Sequence, residues 1–290
     1  MARILISGGA GQVGSELQAC LSREHEVLAP AREEWDLRKA AIPAKLREFR
    51  PDCLINCAAF TKVDLAESER ETAWLVNAVA PGRLAEFCYE LGIPIFHLST
   101  DYVFDGRKPP PHPYLESDEP APLSAYGESK LEGERQVHLN AGDWVVLRTA
   151  WVYGAAGRNF FKAILVKALR GEPLKVVSDQ FGAPTWAATL AAQIVALIGS
   201  EAHGVYHASA EGYTTWYEAA VEFLRLMEVE AEVAPCSTAE FPTAALRPAN
   251  SILENLRLKT EGLNRMRDWR LDLSDFVRRH RAGLMKEARA

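Results

Sequence analysis

Tyr126 and Lys130 lie four residues apart in a stretch, residues 124–139, that the sequence predicts to be helical. Four residues is about one helical turn, so both side chains would point from one face. A tyrosine hydroxyl can protonate a carbonyl oxygen as hydride reaches the carbon. A nearby lysine ammonium would stabilise the phenolate and lower the tyrosine pKa from its usual value of about 10. The pair indicates carbonyl reduction or alcohol oxidation; the alternative is an exposed pair on a solvated helix face.

A glycine-rich segment follows the first predicted strand. Gly8, Gly11 and Gly14 are spaced as G-x-x-G-x-x-G, with Gln12 and Val13 between the last two. Without Cβ atoms the backbone can approach a pyrophosphate, and the next helix would direct its free N–H groups and positive dipole end at the phosphates. We therefore expect these five residues to bind a dinucleotide. A tight turn without a ligand is the alternative.

The residues after the second predicted strand bear on the choice of nicotinamide cofactor. An acidic residue there would bind the ribose 2′-OH and repel a 2′-phosphate. The chain has Arg32 before any carboxylate. Arg32 can pair with a 2′-phosphate, so we expect NADPH, with NADH as the alternative if Glu33 or Glu34 turns toward the ribose. Asp36 and Leu37 are expected beside the adenine.

Hydroxyl-bearing residues end the fourth predicted strand, where the sequence runs Ser99-Thr100-Asp101-Tyr102. In a parallel sheet the carboxyl ends of the strands face the ligand crevice. Thr100 is the candidate that hydrogen-bonds the substrate oxygen beside Tyr126, and Ser99 is the alternative.

Short apolar runs alternate with longer amphipathic segments through the first half of the chain. The predicted strands are residues 3–7, 26–29, 53–56, 94–99 and 144–149, and one of the intervening helices is residues 73–91. Such alternation implies right-handed βαβ units and a parallel sheet covered on both faces. We predict an α/β fold: a Rossmann-type, doubly wound parallel sheet in residues 1–153, completed by elements within 172–210, and a smaller, mixed, mainly substrate-binding domain in residues 154–290.

The pattern becomes less regular after residue 153. Helices are predicted at residues 159–171, 189–198, 215–227 and 273–285, and strands at residues 174–178 and 204–208. Residues 234–246 and 249–261 are expected to be irregular.

Composition excludes some classes of partner. The 290-residue chain has a formal net charge of −6 and a pI near 5.7, with no basic stripe, so nucleic acid is not expected as a ligand. No apolar run is long enough for a signal peptide or a membrane span, so no membrane partner is expected. Five cysteines without a CxxC pair predict reduced thiols and a cytoplasmic location.

Several longer strings resemble the extended short-chain dehydrogenase/reductase family and, within it, the dTDP-4-dehydrorhamnose reductases. The strings are GGAGQVGSELQ, NCAAFTKVDLAESE, VNAVAP, STDYVFDG, YGESKLEGE, RTAWVYG, SDQFGAPT and RPANS. The resemblance implies reduction by NADPH of the C4 ketone of dTDP-4-dehydro-L-rhamnose to dTDP-L-rhamnose, in deoxysugar-nucleotide biosynthesis. It also implies a homodimer that binds a dTDP-sugar.

The resemblance further implies roles for particular residues. Tyr126, Lys130 and Thr100 would be catalytic, and Tyr126 and Lys130 would also contact the cofactor. Residues implied beside the cofactor are Ala58, Ala59 and Thr61, and those implied beside the substrate are Thr100, Asp101, Tyr102, Trp151 and Asn159. Some family members bind magnesium at a dimer interface, and Glu16 matches one such position. Residues 187–189 lack the second glutamate, so no metal is expected.

Other functions share this pattern. A non-catalytic, NADP-binding regulatory subunit of methionine adenosyltransferase is compatible with the same catalytic set. Another 4-keto-6-deoxy sugar-nucleotide reductase or an epimerase is also compatible. A 4,6-dehydratase is disfavoured, because Tyr102 follows Asp101 where a dehydratase would have a glutamate.

Overall fold

The computed structural model describes residues 1–39 and 41–290. Its strands are β1 (Arg3–Ser7), β2 (Glu26–Leu28), β3 (Cys53–Asn56), β4 (Ile95–Thr100), β5 (Trp144–Thr149), β6 (Val152–Tyr153), β7 (Leu174–Val177), β8 (Phe181–Gly182), β9 (Thr185–Trp186), β10 (Gly204–His207), β11 (Thr214–Thr215) and β12 (Val233–Cys236). Its α-helices are α1 (Gln12–Leu21), α2 (Ala44–Glu48), α3 (Val63–Ala66), α4 (Arg70–Trp74), α5 (Ala80–Leu91), α6 (Ala125–Asn140), α7 (Phe160–Leu169), α8 (Ala187–Leu197), α9 (Trp216–Met227), α10 (Leu256–Thr260) and α11 (Trp269–Arg289). Short 3₁₀ turns occupy Asp101–Val103 and Thr238–Glu240.

Within the described residues, six strands form one parallel sheet in the order β2-β1-β3-β4-β5-β10. The chain crosses from one side of β1 to the other between β2 and β3. This reversal is the switch point of a doubly wound sheet, where ligands bind beyond the carboxyl ends of the strands. The prediction of an α/β, Rossmann-type fold is confirmed.

Apolar side chains pack against both faces of this sheet. Ile4 and Ile6 of β1 belong to one buried cluster with residues of α1 and α8. Leu5 faces the other way, in a cluster with residues of α5 and α6. Alternation with a period of two is what a sheet covered on both sides requires. Each fully buried Leu or Ile contributes roughly 1.5–3 kcal/mol, and the two clusters hold the strand ends that border the switch point.

The helix predicted over residues 73–91 begins earlier and includes a π-helical turn, Leu75–Val79, between α4 and α5. Pro81 has no N–H to donate to the carbonyl of Asn77. That carbonyl instead packs against α6, where a Cβ on Gly133 would lie 2.1 Å from it. The Asn77 side chain holds the backbone of Phe60 through hydrogen bonds of 2.8 and 3.1 Å. The π turn thus anchors the segment that follows β3.

The later part of the chain has a buried cluster of its own, formed mainly by α7, α9 and α11. Of the segment 172–210, β10 lies in the central sheet and α8 shares a cluster with α1, whereas β7 pairs with β12 in a separate two-stranded sheet. The division of the chain at residue 153 stays a prediction. None of the helices in residues 1–39 and 41–290 is long and apolar enough to cross a membrane.

Two predicted irregular stretches contain regular structure. β12 lies at the start of residues 234–246, and α10 lies within residues 249–261. β12 contains Pro235, which removes a backbone donor and weakens its strand signal, and α10 is little more than one turn. The prediction for these stretches was wrong because tertiary pairing with β7 and packing on β10 stabilise segments that have little local preference.

Candidate active site

The carboxyl ends of β1, β3 and β4 open into one cavity of about 690 Å³. All residues predicted to serve catalysis, cofactor or substrate line it: Gly8, Gly11, Gln12, Val13, Gly14, Arg32, Asp36, Leu37, Ala58, Ala59, Thr61, Thr100, Asp101, Tyr102, Tyr126, Lys130, Trp151 and Asn159. Residues far apart in the chain therefore share one site.

The glycine turn at the end of β1 is compatible only with residues that lack a side chain. Gly8 has φ +73°, and a Cβ there would lie 2.6 Å from the backbone nitrogen of Ala58. A Cβ on Gly14 would lie 2.3 Å from the Gly8 carbonyl oxygen. α1 begins at Gln12 without a side-chain cap on its first N–H groups, which can therefore bind an anion. These features fit the pyrophosphate of a dinucleotide.

Arg32 and Asp36 line another part of the cavity, and Arg38 pairs with Asp36. Asp36 accepts hydrogen bonds from Arg38, from Nε at 3.0 Å and from Nη2 at 2.5 Å. These bonds, with a smaller contribution from the charge of Arg32, lower the pKa of Asp36 to about 2. The carboxylate is therefore ionised but paired, and its repulsion of a second anion is reduced. Arg38 was not predicted as a site residue, although the sequence shows a cation two residues after the carboxylate of Asp36.

Tyr126 is placed by the first turn of α6. The Ser124 hydroxyl accepts a hydrogen bond from the Gly127 N–H at 3.2 Å and caps the helix. The Glu67 carboxylate accepts another from the Ala125 N–H at 2.8 Å. Two of the N–H groups that a helix start leaves unpaired are thus satisfied by side chains, which sets the direction of the Tyr126 side chain into the cavity.

The pKa of Tyr126 is raised, contrary to the expectation from the Tyr-Lys pair. Burial raises it to about 12, the charge of Asp101 acts in the same direction, and the Thr100 hydroxyl opposes both. Lys130 is not among the groups that shift it, and its Nζ donates to the carbonyl oxygen of Leu98 at 2.6 Å. The structure therefore favours the protonated phenol, the form that a proton donor requires.

Lys130 is itself strongly affected by its surroundings. It is only 2% exposed, and burial lowers its pKa to about 8, with Glu134 and Cys57 acting in the opposite direction. Its Nζ lies 3.3 Å from Nε2 of His97. A lysine with a pKa close to neutrality can exchange protons with solvent and neighbours under ordinary conditions.

Thr100 and Asp101 form a hydrogen-bonded pair beside Tyr126. The Thr100 hydroxyl donates to Oδ1 of Asp101 at 2.9 Å. Burial raises the pKa of the Asp101 carboxyl to about 6. The Tyr102 ring meets the Tyr126 ring edge to face, with centroids 5.5 Å apart. This group of polar and aromatic residues can orient a carbonyl oxygen and the hydroxyls next to it.

An aromatic wall faces these polar groups. Trp151 has φ +48°, a backbone conformation that costs a non-glycine residue roughly 1–3 kcal/mol. Its ring stacks on Trp216 and packs tightly on the backbone at Gly182, where a Cβ would lie 2.5 Å from Cε2 of Trp151. Trp216 also lines the cavity and was not predicted, because nothing local in the sequence relates it to Trp151.

Asn159 reaches the cavity wall as the N-cap of α7. Its Oδ1 accepts from the Lys162 N–H at 3.1 Å, and its Nδ2 donates to the Gly154 carbonyl and to Oε1 of Gln12. It thus ties α7 to the glycine turn. Whether it also contacts a substrate stays a prediction.

Glu16 of α1 is not among the cavity residues in the described part of the chain. Within residues 1–39 and 41–290, no group of three or more His, Cys, Asp or Glu side chains is arranged to hold a metal ion.

The fold and the site together define a class of protein. A glycine turn at the switch point of a doubly wound sheet, with a buried tyrosine and lysine in the same cavity, is the arrangement of a nicotinamide-dependent oxidoreductase of the short-chain dehydrogenase/reductase type.

Comparison with known proteins identifies the family. The family model described as RmlD substrate binding domain matches residues 2–282, and the chain belongs to this family. A dTDP-4-dehydrorhamnose reductase from Burkholderia thailandensis is 40% identical over 95% of this chain and 98% of its own length. A dTDP-4-keto-6-deoxy-D-glucose reductase from Streptomyces niveus is 39% identical over 92% of this chain and 93% of its own. The crystal structure of dTDP-4-dehydrorhamnose reductase from Bacillus anthracis in complex with NADP has a TM-score of 0.92 and 36% identity, covering 95% of this chain and 98% of that one.

Proposed function

We propose that this chain reduces the C4 ketone of dTDP-4-dehydro-L-rhamnose with NADPH and forms dTDP-L-rhamnose. One observation carries the proposal: Thr100, Tyr126 and Lys130 line the same cavity as the glycine turn and the aromatic wall of Trp151. The relatives that share most of the chain's length, and are named as 4-keto sugar-nucleotide reductases, support it.

The residues of the chain supply proton transfer and orientation. NADPH, when bound, supplies the hydride that reaches C4 of the sugar. Tyr126 holds a proton on its hydroxyl and gives it to O4 as the carbonyl becomes an alcohol, and its raised pKa keeps that proton in place beforehand. Thr100 and Asp101 orient the carbonyl oxygen. Lys130 returns a proton to Tyr126 after each turnover, which its lowered pKa favours.

The proposal of NADPH as cofactor is supported by the charges near Asp36. Arg32 lines the cavity, and Arg38 neutralises the carboxylate that would otherwise repel a 2′-phosphate. NADH stays the alternative, since both cofactors share the pyrophosphate and the nicotinamide ribose. Competition between the two cofactors at saturating keto sugar decides between them.

The experiment that tests the reaction uses NADPH carrying deuterium at the transferable position. With dTDP-4-dehydro-L-rhamnose, NMR of the product should show deuterium at C4 of dTDP-L-rhamnose. Cofactor binding without any oxidation would contradict the proposal and favour the non-catalytic, NADP-binding alternative.

A second candidate is reduction of a related 4-keto-6-deoxy sugar, which the Streptomyces niveus relative favours. The two substrates differ in sugar stereochemistry, so Trp151 and Tyr102, which both line the cavity, would contact them differently. Comparing kcat/KM for dTDP-4-dehydro-L-rhamnose and dTDP-4-keto-6-deoxy-D-glucose separates the candidates.

We also infer a homodimer in the cytoplasm and a boundary between cofactor and substrate domains at residue 153. Exposed apolar side chains on the outside of the central-sheet helices, among them Leu139 of α6, support an association surface. Sedimentation velocity measures the oligomeric state directly.

A further inference from the structure

A line of buried polar side chains crosses the sheet beneath the cavity. Ser7, Asn56, His97 and Lys130, from β1, β3, β4 and α6, are each at most 2% exposed. The Ser7 hydroxyl donates to Oδ1 of Asn56 at 2.5 Å, Nδ2 of Asn56 lies 2.9 Å from Nδ1 of His97, and Nε2 of His97 lies 3.3 Å from Nζ of Lys130. Apart from Lys130, these side chains have no part in the proposed chemistry.

The direction of this line follows from Asn56. Its Oδ1 accepts from the Ala58 backbone N–H at 3.2 Å as well as from Ser7. If the Asn56 amide were rotated by 180°, its Nδ2–H would face the Ala58 backbone N–H, and two donors would meet. Nδ2 of Asn56 must therefore face His97 and donate to Nδ1. A neutral imidazole has a single N–H, and here it is therefore on Nε2. Burial alone favours a neutral His97, because it lowers the pKa of the imidazole well below the usual range.

This tautomer directs an N–H at Lys130. An ammonium has three donors and no acceptor, so a charged Lys130 would face the Nε2–H of His97 donor to donor. A neutral amine has a lone pair that can accept this hydrogen bond, and it can still donate to the Leu98 carbonyl at 2.6 Å. The geometry therefore favours the amine over the ammonium.

We propose that His97 is a positioning residue that donates its Nε2–H to the Lys130 amine and so makes the Lys130 ammonium a readier proton donor to Tyr126. In this step the proton leaves Nζ of Lys130 and joins the phenolate oxygen of Tyr126. The amine that remains accepts the hydrogen bond from His97, and solvent later restores its proton. The catalytic meaning rests on the proposed function, whereas the protonation of Lys130 can be measured without turnover.

Other titratable groups also face Lys130. Glu134 lies on its own helix, and Cys57 follows β3. Glu134 stabilises the ammonium, but it is already paired with Arg148 of β5 at 2.7 Å. The Cys57 thiol has a pKa raised to about 12 by burial and is neutral. Among these neighbours, His97 is the one whose N–H opposes the charged form.

The test is an NMR titration of the full chain labelled with ¹³C at lysine Cε, in which Lys130→Met identifies the Lys130 signal. In the wild type Lys130 should titrate near 8, well below the usual lysine value of about 10.4. His97→Asn keeps a partner for Asn56 but removes the N–H facing Lys130. It should raise the titration midpoint by about one pH unit. His203→Asn, at an exposed histidine outside the cavity, should leave it unchanged.

The proposal is tested by the direction in which His97→Asn moves the titration midpoint of Lys130. If Nε2 of His97 were instead an acceptor for the ammonium, His97→Asn would leave the midpoint in place or lower it, and the proposal would be overturned. Should His97→Asn fail to fold, ¹⁵N shifts of the histidines in the wild type report the tautomer directly. A neutral His97 with its proton on Nε2 supports the proposal, and one with its proton on Nδ1 contradicts it. Neither readout depends on the keto sugar, so failure here is distinct from failure of the proposed function.

Discussion

The indole rings of Trp151 and Trp216 stack face to face, with centroids 3.5 Å apart and planes 7° from parallel. Trp151 follows β5 of the central sheet, and Trp216 is the first residue of α9. The aromatic wall of the cavity is therefore built from a residue next to the central sheet and a residue of α9, and the packing of α9 determines its shape.

Trp216→Ala should weaken binding of the keto sugar without affecting the cofactor. Loss of the stacked ring leaves Trp151 free to tilt and removes apolar surface from the sugar side. We expect KM for the keto sugar to rise about tenfold, equivalent to about 1.4 kcal/mol, with KM for NADPH unchanged. Steady-state kinetics measures both. Trp74→Ala, at a half-exposed tryptophan away from the cavity, is the control; equal effects of the two variants would contradict the assignment.

Gly182→Ala should disturb the aromatic wall of Trp151 and Trp216, because Gly182 packs against the Trp151 ring. The new Cβ would lie 2.5 Å from the Trp151 ring, so the ring must move. Overpacking of this kind costs typically about 1–3 kcal/mol, and denaturant unfolding should show that loss together with a higher KM for the keto sugar. In Gly283→Ala, within α11, a Cβ meets nothing within 4 Å. That control should gain about 0.5–1 kcal/mol of stability. The same gain in Gly182→Ala would show that the Trp151 ring does not require a residue without a side chain at position 182.

Arg32→Ala and Arg38→Ala should each reduce the preference for NADPH. The first removes a cation that lines the cavity, and the second releases the Asp36 carboxylate to repel the 2′-phosphate. We expect KM for NADPH to rise about tenfold in each variant, and KM for NADH to stay the same or fall. Arg107→Ala, at an exposed arginine, serves as control. An unchanged KM for NADPH in both Arg32→Ala and Arg38→Ala would show that these arginines do not favour the 2′-phosphate.

Asp101→Asn should change how stability depends on pH. The carboxyl pKa is about 6 in the folded protein and about 3.9 in an unfolded chain. Between these values the folded state binds more protons, so this group makes stability fall as pH rises from about 4 to 6. The difference corresponds to roughly 3 kcal/mol. The variant cannot ionise, so urea unfolding should show a flatter profile and greater stability above about pH 6, alongside lower activity. Asp143→Asn on the surface should keep the wild-type slope; the same slope in Asp101→Asn would contradict a buried, raised carboxyl.

The sequence predicts those parts of the site whose geometry is determined by residues close together in the chain or on an adjacent strand. The glycine turn needs Gly8 and Gly14 for steric reasons that act within a few residues and on the adjacent strand, and Tyr126 and Lys130 share a helix face through their spacing alone. The position of the carboxyl ends of the strands at the switch point follows from the alternation of strands and helices in the sequence.

The parts that the sequence does not predict depend on packing between distant segments. Trp216 stacks on Trp151 although the two residues are far apart in the sequence. His97 faces Lys130 only because β4 lies beneath α6. The pKa of Tyr126 was expected to be lowered by Lys130, and it is raised because burial dominates. Such relationships require the three-dimensional arrangement of the elements.

The role of Tyr126 as proton donor is tested by NADPH oxidation with dTDP-4-dehydro-L-rhamnose in the wild type, Tyr126→Phe and Tyr89→Phe. Tyr89 is an exposed tyrosine outside the cavity. Removing the proton donor should lower kcat by a factor on the order of 10²–10⁴ while NADPH binding, followed by fluorescence, stays intact. Tyr89→Phe should match the wild type. Turnover by Tyr126→Phe close to that of the wild type would show that the Tyr126 hydroxyl does not protonate O4.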